Sequence, residues 1–83
     1  MLRILIADDH KLFRDGLRTL LEQQPGLSVV GEAADGRELL ELVATQKPNL
    51  VVLDVSMPGL NGLEAARRIH AQDPAIRIAM LSM

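Results

Sequence analysis

Two short runs of almost unbroken hydrophobicity, each ending in aspartate, constrain this chain more than any other feature. Leu2-Arg3-Ile4-Leu5-Ile6-Ala7 runs into Asp8 and Asp9, and Leu50-Val51-Val52-Leu53 runs into Asp54. A strand with one wet face alternates apolar and polar residues. A strand covered on both faces does not, and that is the habit of a parallel α/β sheet. In such sheets ligands bind beyond the carboxyl ends of the strands, where neighbouring connections diverge to opposite faces. If the two runs are adjacent strands, the three carboxylates meet there. Crowded carboxylates repel unless a cation or a proton joins them, so the cluster implies a bound metal, a phosphoryl chemistry, or both.

The rest of the chain supplies the alternation that a parallel sheet needs. Phe13, Leu17, Leu20 and Leu21 recur at helical spacing, with Leu12 widening the stripe. Pro25-Gly26 stops that helix, and residues 27–33 read as a second strand. Asp35 with Glu38 resembles a capping box and opens a second helix near Gly36, whose buried stripe is Leu39, Leu40, Val43 and Ala44. Lys47-Pro48-Asn49 ends it, and residues 50–54 form the third strand. Asn61 with Glu64 repeats the cap signal for a third helix that buries Leu63, Ala66 and Ile69, and Pro74 closes it. Residues 76–83 form a fourth strand, so residues 1–83 read as one (βα)3β unit. Strand 1 must be central to be buried on both faces, which gives the order 2-1-3-4. Strand 4 is then an apolar edge that invites pairing with another chain.

Composition narrows the function. Nine Lys and Arg face eleven Asp and Glu, a net charge of −2, and the basic residues are scattered, which argues against a nucleic-acid surface on these residues. Phe13 is the one aromatic residue, so nothing can stack on bases or clamp a flavin. With no cysteine there is neither a disulfide framework nor a thiolate metal site. The chain begins without a signal-peptide pattern and has no run long enough to span a bilayer, so a cytoplasmic location is expected.

The aspartates suit Mg²⁺, which takes oxygen ligands, usually one or two carboxylates, and keeps several waters. Asp8 and Asp9 can supply one direct and one water-mediated contact, and Asp54 another, with a loop carbonyl completing the shell. Ser56 offers such a backbone carbonyl two residues beyond Asp54. A carboxylate attacking phosphorus gives an aspartyl phosphate. Helix capping by strand-end aspartates could account for Asp8 or Asp9 but not for Asp54, whose helix starts several residues later at Asn61. Ser82, at the end of strand 4 beside strand 3, lies where a hydroxyl could reach a phosphoryl group on Asp54. His10, beside the acidic pair, reads as part of the helix start, with a ligand role as the alternative; His70 belongs to a helix surface, and Met57, Met80 and Met83 to core or interface.

Asp8-Asp9-His10, the segment Asp54-Val55-Ser56-Met57-Pro58-Gly59-Leu60-Asn61-Gly62, and Leu81-Ser82-Met83 together resemble the receiver domain of a bacterial two-component response regulator. The wording is closest to the NarL/LuxR type, transcription factors with a C-terminal helix-turn-helix domain. The flavodoxin-like fold this implies begins with the same 2-1-3-4 strand order. The resemblance implies that Asp54 accepts a phosphoryl group from a sensor histidine kinase or a small acyl phosphate. It also implies that Asp8 and Asp9 hold Mg²⁺ with Asp54 and the Ser56 carbonyl, and that Ser82 is the switch hydroxyl. It makes the chain a phosphoacceptor that assists its own phosphorylation, not an enzyme acting on outside substrates, and places DNA binding in an output domain beyond these residues. The sequence departs from the family pattern in lacking helix 4, strand 5, helix 5 and the lysine that ends strand 5, as if truncated after the fourth strand. The alternative expectation is therefore a fragment that self-associates, a dimer formed through strand 4 or uncovered helix faces, with little phosphotransfer. A flavin carrier lacks its phosphate loop here. A phosphatase of the haloacid-dehalogenase kind lacks the second aspartate two residues after its nucleophile, since Val55-Ser56 follows Asp54 and Asp9-His10 follows Asp8.

Overall fold

In a computed structural model, β1 (Leu2–Ala7) lies at the middle of the sheet and has no solvent face along its buried length. Ile4 and Ile6 pack into one apolar cluster with Val29 and Val52, while Leu5 and Ala7 pack into another on the opposite face. This is the physical reason the strand does not alternate. Residues 1–57 and 59–81 are described; Pro58, Ser82 and Met83 lie outside the described residues. The remaining elements are α1 (Lys11–Glu22), β2 (Leu27–Ala33), α2 (Gly36–Gln46), β3 (Leu50–Asp54), α3 (Gly62–Gln72) and β4 (Arg77–Leu81). Every pairing is parallel and the order is β2-β1-β3-β4, as expected. Among the described residues no helix is long and apolar enough to cross a membrane.

One irregularity sits in β2. Ile4 pairs with Val29 but Leu5 pairs with Gly31, so Val30 has no partner on β1. An extra residue of this kind inverts which side chains face which side of a sheet from that point on. Val29 joins the cluster under α1, yet Ala33, four residues later, joins the opposite one. Glu32, between them, is thereby turned toward α1.

The helices begin where the sequence marks them. Asp35 Oδ1 accepts the Glu38 N–H at 2.8 Å, and Asn61 Oδ1 accepts the Glu64 N–H at 2.9 Å. Lys47, in the left-handed region at φ 47°, ends α2. Their buried faces depart from expectation. In α2 Leu39 and Val43 are buried as expected and Leu40 is half-buried, but Ala44 is exposed and Leu42 takes its place against the core. In α1 no residue is fully buried; Leu17 and Leu21 reach the core, while Leu12, Phe13 and Leu20 are 87%, 40% and 62% exposed. At about 100° per residue, Phe13 and Leu20 turn to one flank of the Leu17–Leu21 line and Leu12 lies nearly opposite it.

In α3 Ile69 is buried and Ala66 half-buried against the core as expected, but Gly62 and Ala65 complete the buried face and the expected Leu63 is 60% exposed. The cause is close approach. A Cβ at Gly62 would lie 2.3 Å from the Asp54 carbonyl oxygen and 2.8 Å from Val55 Cα. The helix start therefore touches the β3 backbone with its smallest residues, and the larger Leu63 is turned outward.

Candidate functional site

The topology sets Asp8, Asp9 and Asp54 at one end of two adjacent strands. β1 and β3 pair as far as Ala7 and Leu53, so Asp8 and Asp54 are the next residues along. Both are buried, 3% and 4% exposed, whereas Asp9 is exposed. One ligand atom each from Asp8, Asp9, His10 and Asp54 falls within 4.8 Å of the others. Opposite ligands of Mg²⁺ stand about 4.2 Å apart at its usual bond lengths. The hard oxygen donors are thus of the right kind for such an ion, and the set needs to tighten slightly or use a water. A buried carboxylate without partners is costly, and each of the two buried ones has local donors. Ser56 donates its N–H and its Oγ hydrogen to Asp54 Oδ1, at 3.2 and 3.3 Å. The His10 N–H donates to Asp8 Oδ1 at 2.7 Å.

His10 is where sequence reasoning fell short. It is the N-cap residue of α1, as expected, but its side chain does not cap the helix. Instead Nδ1 lies 2.8 Å from Asp8 Oδ1 and 3.1 Å from Asp9 Oδ1. The hydrogen bond to Asp8 and then the charge of Asp9 raise the imidazole's pKa above its ordinary value. Neither Asp8 nor Asp9 occupies an N-cap position, so the capping explanation of these aspartates fails for both.

Sequence reasoning also passed over Arg14 and Glu32. Arg14 donates through Nη1 to the Asp8 backbone carbonyl and through Nε to Glu32 Oε1 at 3.2 Å. Arg18 donates to the other Glu32 oxygen at 2.8 Å. The hydrogen bond from Arg18, with that from Arg14 behind it, holds the Glu32 carboxyl below the usual carboxylate range. A helical Arg one turn after His10 was a visible signal; its partner was not, because the irregularity at Val30 decides which way Glu32 points.

Met57 is buried in the core and anchors the loop that leaves Asp54. That loop rests on the start of α2, where a Cβ at Gly36 would lie 2.3 Å from the Leu60 carbonyl oxygen. His70 is an exposed helix residue, as expected. Ser82 falls outside the described residues.

With this geometry in hand, the comparisons with known proteins agree. A solved two-component response regulator of the LuxR family, from Aurantimonas sp. SI85-9A1, superposes with a TM-score of 0.94 at 43% identity, covering 100% of this chain and 59% of that one. The response regulator GacA of Pseudomonas aeruginosa is 40% identical over 83 residues, 100% of this chain and 39% of GacA. A protein-glutamate methylesterase/protein-glutamine glutaminase of Pseudoalteromonas atlantica is 44% identical over 80 residues, 96% of this chain and 21% of that protein. The chain thus spans well under half the length of these two curated relatives, which carry different names. The pattern of the response regulator receiver domain matches residues 4–83, from the first buried residue of β1 onward. The chain therefore belongs to the response regulator receiver domains, the phosphoacceptor modules of two-component signalling.

Proposed function

We propose that Asp54 is the phosphoryl acceptor, and that Asp8, Asp9 and Asp54, with the Ser56 backbone carbonyl, hold a Mg²⁺ ion. The observation that carries this reading is the meeting of buried Asp54 with Asp8 and Asp9 at the carboxyl ends of adjacent strands. When bound, the metal supplies charge neutralisation and a template for the phosphoryl oxygens. Ser56 engages Asp54 Oδ1 through both its N–H and its hydroxyl, which leaves Oδ2 as the attacking oxygen. A new Oδ2–P bond forms as the bond from phosphorus to the donor's imidazole nitrogen or acyl oxygen breaks, and the donor leaves with that electron pair. The donors are a sensor histidine kinase and small acyl phosphates. Ser82 serves as the switch hydroxyl. In this reading residues 1–83 are the (βα)3β part of a receiver, assist their own phosphorylation without turning over outside substrates, and govern a DNA-binding domain of the full-length protein. The similarity to GacA and to a LuxR-family regulator supports that output.

Intact mass before and after incubation with Mg²⁺ and acetyl phosphate tests the acceptor. One added phosphoryl group is expected, absent in Asp54→Asn and absent when EDTA replaces Mg²⁺. Addition that persists in Asp54→Asn would place the acceptor elsewhere.

The sheet edge favours a second reading, self-association. Among the described residues β4 pairs only with β3, and its Ala79 and Met80 are exposed. An open apolar edge is a template for a further strand, which in this reading of residues 1–83 by themselves a second copy supplies. Sedimentation equilibrium is expected to give a dimer, and a monomer at the highest soluble concentration removes this reading.

A further inference from the structure

We infer that Arg14 and Glu32 form a positioning pair that presets the Asp8–Asp9 turn for a divalent cation. The inference rests on the metal reading above and extends it to two residues that touch no phosphoryl group. Asp8 and Asp9 follow the last residue of β1, so backbone bonding to β2 holds the N–H of Asp8 and the peptide joining Asp8 to Asp9 lies beyond it. A side chain takes over from there. The Asp8 N–H donates to the Ala33 carbonyl at 3.0 Å, and the Asp8 carbonyl accepts from Arg14 Nη1. That carbonyl belongs to the peptide joining Asp8 to Asp9, so Arg14 sets the rotation of the unit that aims both carboxylates.

The choice of acceptor matters. Arg14 binds a backbone oxygen and adds no pair to the carboxylates, which in the metal-free protein already meet the His10 imidazole, whereas a guanidinium paired to either carboxylate would take the cation's place. Its own charge would still oppose a divalent cation nearby. Glu32 answers that charge at 3.2 Å, inside a pair whose side chains are only 14% and 19% exposed and therefore weakly screened. The planar fork of arginine meets both acceptors at once, a geometry that lysine cannot reproduce.

Glu32 reaches Arg14 only because β2 carries its irregularity. Regular alternation from Val29 would turn Glu32 to the opposite face, among Leu5, Ala7 and Leu39. Residue Val30, unpaired in the sheet, is what brings a carboxylate to the α1 face beside the site. Irregularities next to functional sites commonly re-aim a side chain in this way.

Calorimetric titration of Mg²⁺ alone into the protein, with the Asp9 backbone amide followed by NMR, tests the pair. Arg14→Ala is expected to weaken Mg²⁺ binding about tenfold, the lower end for groups that orient metal ligands, and to shift the Asp9 amide in the metal-free protein. Glu32→Gln should weaken binding less, by leaving the Arg14 charge unanswered. Arg14→Lys should recover part of the loss, and Arg68→Ala, on the outer face of α3, should bind as the parent does. A purely structural role would lower the melting temperature while leaving the affinity of the folded protein and the Asp9 amide in place, and that result would overturn the inference. If Arg14→Ala does not fold, parental affinity in both Arg14→Lys and Glu32→Gln overturns it equally. Asp8→Asn separates the two levels: loss of Mg²⁺ binding there with none in the Arg14 and Glu32 variants defeats the positioning pair alone. Parental binding in Asp8→Asn defeats the metal reading and the pair with it.

Discussion

The closest constraint on Asp54 is a glycine. Gly62 begins α3 directly against the Asp54 backbone, and its N–H donates to the Val55 carbonyl at 3.1 Å. Since an added Cβ would meet the Asp54 carbonyl at 2.3 Å, Gly62→Ala must push the helix or the strand end aside. We expect it to destabilise the fold by about 1–3 kcal/mol, the usual cost of overpacking, read as a shift in the urea midpoint, and to slow phosphorylation of Asp54. Unchanged midpoint and rate would show that α3 can retreat freely. The sequence displayed Gly62 as one small residue after a cap. Only the approach of two backbones explains why nothing larger fits.

At the scale of elements, periodicity located all three helices but not their buried faces. The α1 stripe is richer in leucine than the face it buries, because only Leu17 and Leu21 lie on the line of contact with the sheet. Replacing Leu20, 62% exposed, by Ala is therefore expected to change stability by about 0.5 kcal/mol or less. The same change at Leu39, fully buried under α2, is expected to cost about 2–5 kcal/mol. Equilibrium denaturation of the two variants compares them directly, and equal losses would mean that the outer flank of α1 is covered in solution. In α3 the error has the opposite sense, since Gly62 and Ala65 form the close face and carry almost no hydrophobic signal.

Across the whole molecule, α1 is tied to the sheet by the Glu32 pairs as well as by packing, and this connects stability to pH. Because Arg18 and Arg14 lower the Glu32 pKa in the folded state, the pairs stabilise the fold above the ordinary carboxylate value of 4.5, and that contribution disappears as pH falls through the folded value. With Arg18 41% exposed, its extent is about 1 kcal/mol or less. The gap in urea midpoint between the parent and Glu32→Gln is expected to hold from neutral pH to about 4.5 and to close below it; a gap independent of pH would assign the loss to packing. The sequence by itself determined the (βα)3β alternation, the central place of β1 and the family, because unbroken apolar runs and paired cap signals are local and survive without a structure. The aspartate cluster was legible for the same reason: strand ends and chain order suffice to place Asp8, Asp9 and Asp54 together. Tertiary structure alone decided which helix faces are buried, that His10 lies between two carboxylates, and that Glu32 meets Arg14. Each of these depends on helix rotation, on how closely backbones approach, or on one unpaired residue in β2, quantities set by packing between distant segments and written in no single stretch of chain.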